Sequence, residues 1–399
     1  MRTDRLQTHV VSKIAKVAPS AWDALVGDND PFVEHAFLNA LEVSGSVGED
    51  TGWEPCHVVV YDEDRLVGAV PLYLKTHSYG EYIFDWAWAN ASHQAGLPYY
   101  PKLVSSVPFT PVTGRRLLVA DDVNESVVMD ALLDGVEKVQ QDMKASSVHV
   151  LFCTREEQER VGERNEYHPR LTFQYHWENQ GWPSFDAYLS AFRRSARRNV
   201  LRERAQVADS GLTIAMLQGE EMEDDHWEAL WRFYRDTIDR KGAYPYLTEA
   251  FFEQLRGPLR SRVRSAFAFL DGTPVAGTLG FQKGNALYGR YWGTSIDQPG
   301  LHFELCYYQH IEWCIRHGLQ RFEAGAQGEH KIKRGLMPSP TYSVHRVAHP
   351  ALAAAVARYL EHECEHNALN MEALQKYGPF KRGPSHAVVS GDDSAQSDG

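Results

Sequence analysis

The sequence predicts an α+β protein that uses one domain plan twice, with mixed sheets flanked by helices. Two observations carry this expectation: an internal repeat, and the same order of helix and strand patterns in each half. The repeat's first part is PFVEHAFLNAL from Pro31 to Leu41 against PYLTEAFFEQL from Pro245 to Leu255. Proline, aromatic, aliphatic, Ala-Phe and a closing Leu fall at matching positions. Its second part is VVVYDEDRLVGAVPLYL from Val58 against FAFLDGTPVAGTLGFQK from Phe267, which sets Asp62 on Asp271 and Gly68 on Gly277 without a gap. Self-similarity of this kind means one structural unit repeated.

Each half reads helix, helix, antiparallel meander, helix, strand. In the first, WDAL at Trp22 and the Pro31 segment give the two helices, and the run from Val58 is strand, polar turn, strand. A third strand is expected over Tyr82 to Ala89 after Gly80, then a helix from Val127 to Met143 and a strand from Val148 to Cys153. In the second, WEAL at Trp227 and the Pro245 segment are the helices, and the hairpin from Phe267 precedes a strand over Ala286 to Gly293. A helix from His302 to Arg316 and a strand from Arg321 to Ala324 close it. The expected division is 1–175, 176–380 and a tail, 381–399, whose small polar composition predicts disorder. The first half also carries an insertion, Asn90 to Leu118, rich in Tyr, Pro, Lys and Arg. It is either a functional loop, with Tyr99, Tyr100, Lys102, Thr110 and Arg115 as ligand contacts, or a strand-loop-strand extension of the sheet.

Composition bounds the function. A chain of 399 residues, 43% hydrophobic, is long enough for two or three cores. No apolar run approaches the roughly 20 residues that span a bilayer, and the N-terminal stretch lacks the apolar region of a signal peptide. The five cysteines form no C-x-x-C pair, which fits a reduced, cytoplasmic setting. A net charge of -12 argues against DNA or bulk nucleic-acid binding.

Two stretches gather chemistry. The helix from His302, with Glu304 near its start, leads through the short strand into a glycine-punctuated loop that holds Gln327, Glu329, His330, Lys331 and Arg334. Lys331, Glu329, His330 and Gln327 are the candidate catalytic groups, and His302, Glu304 and Arg334 candidate substrate contacts. Gly325, Gly328 and Gly335 permit sharp turns and close approach to a ligand. A solvated loop whose charges pair with one another is the alternative. Between the halves, Ser184 to Ala205 reads as one helix, Ser184 its N-cap and Phe185, Leu189, Phe192, Ala196 and Val200 its buried stripe. Arg194, Arg198 and Arg202 form one column on it, and Arg193 and Arg197 a second. Like charges at that spacing oppose the helix, so either carboxylates from elsewhere or a phosphate-bearing ligand offsets them. His362-Glu363-Cys364-Glu365-His366 formally satisfies H-E-x-x-H, but no third ligand follows at metzincin spacing, and no metal is expected.

Three motifs together resemble the FemAB-like branch of the GNAT superfamily: PYYPKLVSSVPFTPVTGRRLL from Pro98, HWENQGWPSFDAYL with its arginine-rich continuation from His176, and EAGAQGEHKIKRG from Glu323. The likeness runs to about Arg382. It implies two tandem GNAT-type domains and acyl or aminoacyl transfer to an amine, with a cell-wall precursor or other anionic metabolite as acceptor. A Fem-type reaction-centre lysine in an F-K-x-x-F-G pattern corresponds to Lys331 in His330-Lys331-x-x-Arg334-Gly335, without the aromatics. Acyl-CoA or aminoacyl-tRNA is the implied donor. Gly293 to His302, GTSIDQPGLH, lacks the Q/R-x-x-G-x-G/A turn that holds the CoA pyrophosphate. The alternative is a non-catalytic binding protein that recognises an anionic ligand through the arginine helix.

Overall fold

The computed structural model describes residues 5–28, 30–325 and 328–381. The first half runs β1 (Leu6–Val11), α1 (Pro19–Asp23), α2 (His35–Val43), β2 (Trp53–Pro55), β3 (His57–Asp62), β4 (Arg65–Val70), β5 (Leu72–Lys75), α3 (Trp86–Gln94), β6 (Lys102–Ser105), β7 (Leu118–Val119), α4 (Glu125–Asp142), β8 (Ser147–Cys153) and α5 (Arg155–Gly162). Strand β9 (Tyr167–Glu178) then leads to α6 (Phe185–Ser190), α7 (Arg194–Ala208), β10 (Thr213–Gln218), α8 (Asp224–Lys241), α9 (Glu249–Arg256), β11 (Val263–Leu270), β12 (Thr273–Lys283) and β13 (Ala286–Thr294). The chain closes with α10 (Leu301–Phe303), α11 (Gln309–Arg316), β14 (Arg321–Glu323), β15 (Met337–Val347) and α12 (Pro350–Gln375).

Both repeat segments fold alike. Helices α1 and α2 precede the antiparallel β3–β4 hairpin, and α8 and α9 precede β11–β12. Phe37 and Phe251 hold equivalent repeat positions, and their rings meet edge to face at 5.7 Å between centroids. Equivalent residues touching each other is the signature of two-fold packing. Around them, Trp22, Phe32, Trp227, Phe233 and Phe281 belong to one buried cluster drawn from both halves. The halves therefore share a core.

They also share a sheet. A four-stranded sheet has the order β1-β3-β4-β7, and an eleven-stranded one the order β10-β11-β12-β13-β14-β9-β15-β8-β6-β5-β2. Strand β9 lies between β14 and β15, and β15 returns to pair with β8 of the first half. The expected division at 175/176 falls inside β9. Each half contributes one parallel pair, β6 with β8 and β13 with β14.

Two expectations are corrected. Residues 82–89 form no strand; α3 begins at Trp86. Alternation in Trp86-Ala87-Trp88-Ala89 mimics a strand, but the third-strand place, antiparallel to the hairpin's continuation β5 and parallel to β8 as β13 is to β14, is taken by β6. The insertion thus extends the sheet through β6. The arginine segment, expected as one helix, is broken at residues 191–193. There Phe192 bridges to Phe380 and the Arg193 N–H donates to Pro379 O at 2.8 Å. The expected caps and stripe otherwise hold, since Ser184 accepts from Ala187 N–H and Phe185, Leu189, Phe192 and Val200 are buried. The expected tail beyond Lys381 lies outside the described residues.

Candidate functional site

Strands β13 and β14 pair only over Ala286–Tyr288 and Arg321–Glu323. Beyond that point β13 runs on to Thr294 while β14 stops, and the strands part. The helical segment from Leu301 covers the opening and leaves a cavity of about 110 Å³ lined by Thr278, Arg290, Trp292, His302, Cys306 and Tyr307. This segment is not a regular α-helix. Residues Glu304–Tyr308 form a π-turn between α10 and α11, an irregularity often found at functional sites, and within it Cys306 and Tyr307 line the cavity. Gly300 starts the segment at φ 83°, with Glu203 O only 2.9 Å from where a Cβ would sit. Only glycine fits there.

Lys331 lies in a 3₁₀ turn, Glu329–Arg334, between β14 and β15. Its side chain is buried at 3% exposure, and Nζ donates to Gly325 O at 2.8 Å. Among the described residues it has no carboxylate partner. Burial pulls its pKa from the ordinary 10.5 down to about 8. The turn itself is clamped by Arg334, whose guanidinium donates to Glu203 Oε1 at 2.7 Å, Tyr308 Oη at 3.0 Å and His330 O at 2.8 Å. Phe303 stacks beneath that guanidinium, 3.4 Å from its ring centroid, and Tyr308 Oη donates to Glu203.

Two histidines complete the group. His330 Nε2 and Tyr307 Oη are 2.9 Å apart, and the His302 ring packs 4.6 Å from Trp292 and 6.1 Å from His330. Burial, then the neighbouring His330 and Arg334 charges, lower His302 to about 4. Burial lowers His330 too, with Arg334 and Lys331 adding to it. His302 lines the cavity, while His330, Lys331 and Arg334 do not line it and adjoin it through Tyr307 and His302. The group joins cations to imidazoles held neutral, able to stabilise developing negative charge and to accept a proton.

The structure therefore brings together Lys331, His330, His302 and Arg334. It does not bring Glu329, which is exposed and makes no bond to Lys331. Gln327 lies outside the described residues. Arg334 is corrected from ligand contact to clamp, and Glu304 likewise: it is buried and accepts from Arg204 at 3.0 and 3.1 Å. Lys102 is fully buried, with Nζ donating to Ser78 at 2.9 Å, Glu81 at 2.8 Å and Asp85. Tyr99 Oη is bound to the same Asp85 at 2.6 Å, and Tyr100 Oη pairs with Ser78 at 2.8 Å. All three thus serve an internal charge network of the first half. Arg115 reaches Val119 O at 3.3 Å. Thr110 donates to Pro108 O at 3.0 Å, beside Phe109, whose carbonyl accepts from Arg290 of the cavity.

On the arginine helices, Arg193 is bound to Gly378 O, and Arg204 to Glu304 and Glu312. Arg194, Arg197 and Arg198 are exposed and have no ion-pair partner among the described residues. The H-E-x-x-H residues are split: Glu363 receives Arg170 at 2.6 and 2.8 Å, while His362 and His366 face solvent. No cluster of three metal-ligating side chains occurs among the described residues. Sequence reasoning did not single out Thr278, Arg290, Trp292, Cys306 or Tyr307 as site residues. Their signal was hidden because Cys306 and Tyr307 also fit the buried stripe of a regular helix.

This geometry can be set beside known proteins. The sequence matches the FemAB-like family, described as peptidoglycan biosynthesis/recognition, over residues 13–382. The chain belongs to the FemAB-like family. Among solved structures, FemX superposes with a TM-score of 0.50 at 12% identity, covering 88% of this chain and 100% of FemX. The C-terminal domain of a putative lysylphosphatidylglycerol synthetase from Agrobacterium fabrum gives 0.54 at 10% identity, covering 88% and 97%. L-PGS from Bacillus licheniformis gives 0.50 at 13% identity, covering 84% and 98%. No curated protein matches in sequence. At such identities the likeness is one of fold, and the fold of this FemAB-like chain is α+β, with mixed sheets flanked by helices and one helix-and-hairpin plan used in both halves. Among the described residues no helix is long and apolar enough to cross a membrane.

Proposed function

We propose that the protein transfers an acyl or aminoacyl group to an amine, with the cavity at the parting of β13 and β14 as the reaction site. The observation that carries this reading is Lys331: a buried ammonium with no carboxylate partner, beside neutral imidazoles. Such a charge costs the fold and balances nothing inside it, which is the mark of a group kept for chemistry. Attack of an amine on an acyl carbonyl puts negative charge on the carbonyl oxygen, and Lys331 Nζ stabilises it. His330 or His302 takes the proton that the attacking nitrogen loses. Family membership supports a peptidoglycan-related acceptor, and the FemX fold supports an aminoacyl donor. The unpaired Arg194, Arg197 and Arg198 supply a cationic surface for an anionic substrate or for the acceptor arm of tRNA.

The test is a transfer assay. The protein is incubated with charged tRNA or acyl-CoA and an amine-bearing cell-wall precursor, and the mass of the precursor is followed. A mass gain that falls about a hundredfold in Lys331→Met is expected, the loss typical of one oxyanion donor. Transfer at the wild-type rate in that variant removes Lys331 from the chemistry. Tight binding of precursor without transfer favours the binding-protein reading.

A further inference from the structure

A second pocket lies in the first half, at the carboxyl end of β8. Its volume is about 450 Å³, inside the range of about 300–1,000 Å³ usual for small-molecule sites. The mouth is aromatic: Phe84, Trp86 and Tyr359 are 50%, 39% and 45% exposed, and Tyr82, Phe152 and Phe173 stand behind them. Its backbone is also unusual. Among the described residues three aromatic side chains sit on left-handed backbone, Tyr82 at φ 62°, Phe109 at φ 60° and Phe152 at φ 55°, and two of the three line this pocket. Bulky residues are outliers in that region, and such strain gathers at ligand sites.

The polar lining is specific. Gln174 is 3% exposed, and its Nε2 donates to Pro111 O at 3.1 Å. That bond fixes the orientation of the amide and leaves Oε1, a buried acceptor in the pocket lining, without a partner. Arg170 and Glu363 form a two-bond ion pair in the same lining, Tyr359 Oη adds a bond to Glu363 at 3.1 Å, and Arg170 ties Phe84 O at 3.0 Å. The aromatic rim is thereby anchored to the sheet before any ligand arrives. Thr172 and Thr341 hydroxyls, 2.6 Å apart, complete the lining.

We propose that this pocket binds one neutral sugar ring, its C–H face against the aromatic rim and a hydroxyl or acetamido N–H donating to Gln174 Oε1. The ion pair cancels its own charge, so neither an anion nor a cation gains from the lining. The guanidinium–carboxylate pair and the paired hydroxyls each offer a donor and an acceptor. A sugar hydroxyl is both at once. A planar base stacks on aromatic faces equally well, and is the competitor to test against. The site shares no lining residue with the Lys331 cavity and stands whether or not that cavity performs transfer.

The experiment is calorimetry and saturation-transfer NMR on the full chain with N-acetylglucosamine, glucose, glucose 6-phosphate, glucosamine and adenosine. The neutral sugars should bind, with the charged ones and adenosine at least fivefold weaker. Trp86→Ala, at an exposed position, should lower sugar affinity at least fivefold, and so should Gln174→Met; Lys331→Met should bind as wild type. No sugar binding at tens of millimolar, adenosine binding as tightly as sugar, or unchanged affinity in Trp86→Ala each overturns the assignment.

Discussion

Replacing Lys331 by Met should make the protein more stable and less active at once, and the stability change should depend on pH. Burial lowers the Lys331 pKa from 10.5 to about 8, which at about 1.4 kcal/mol per pKa unit means that the buried charge costs the fold roughly 3 kcal/mol. The sign follows from proton binding. Between about pH 8 and 10.5 the unfolded chain holds the proton and the folded one does not, so wild-type stability rises with pH there, and below about 8 the full deficit is present. Met fills a similar volume without charge, but gives up the bond to Gly325 O, worth about 1 kcal/mol in its neutral form. Lys331→Met should therefore be about 2 kcal/mol more stable at pH 7. The gain should vanish, and turn into a deficit of about 1 kcal/mol, above pH 10.5. Urea unfolding at pH 7 and near pH 10.5 measures this, read as a midpoint shift at constant slope. A variant no more stable than wild type at pH 7, or a difference that ignores pH, would refute the view of Lys331 as an uncompensated buried cation.

Other consequences follow from the same geometry. Wild-type turnover should fall as pH passes about 8, where Lys331 loses its proton; a rate that climbs through that value makes Lys331 a base instead. Glu203→Ala leaves the buried Arg334 without its carboxylate and should cost about 3 kcal/mol in thermal unfolding, with turnover falling as the turn around Lys331 loosens. Arg194→Ala with Arg198→Ala, both exposed and unpaired, should leave the unfolding midpoint unchanged and weaken an anionic substrate several-fold, since charge-assisted bonds contribute about 1.5–3 kcal/mol each. Unfolding of that double variant would mean that the two arginines serve the fold.

What the sequence made legible was local. The repeat could be read because equivalent positions, Phe37 and Phe251 among them, carry the same side chains for the same packing reason. The stop after the helix ending at Arg316 and the glycines flanking Lys331 were readable because caps and left-handed turns leave residue-type signatures. Long-range competition was not readable. Nothing near Phe192 announces that Phe380, 188 positions on, will take its backbone and break the arginine helix. Nor does Trp86-Ala87-Trp88-Ala89 reveal that its place in the sheet is filled by Lys102–Ser105. Glu329 and Lys331 stand two residues apart, yet the 3₁₀ turn sends one to solvent and the other inward. The charge network of Lys102, Glu81 and Asp85 joins groups 17 and 21 positions apart that match no motif.

The duplicated plan also explains why two pockets exist and why they differ. In each half one parallel strand pair ends early on one side: β6 and β8 pair as far as Ser105 and Val150, β13 and β14 as far as Tyr288 and Glu323. Phe152 stands past the first pairing and Ala324 past the second, and each lines its half's pocket. A gap at the carboxyl end of parted parallel strands is thus a product of the topology, whatever the side chains. The side chains then decide its chemistry. In the second half the gap receives two imidazoles, with a buried ammonium and a clamped guanidinium behind them, and favours developing negative charge. In the first, the lysines are drawn into the network with Glu81 and Asp85, and what remains around the gap is aromatic and neutral overall. Strand β9 joins the two, with Gln174 in one lining and, two residues on, His176 facing Glu323 beside the other. One strand thus ties the two gaps to each other although they share no lining residue, so the geometry of each is set by the same sheet while its chemistry is set by its own half's side chains.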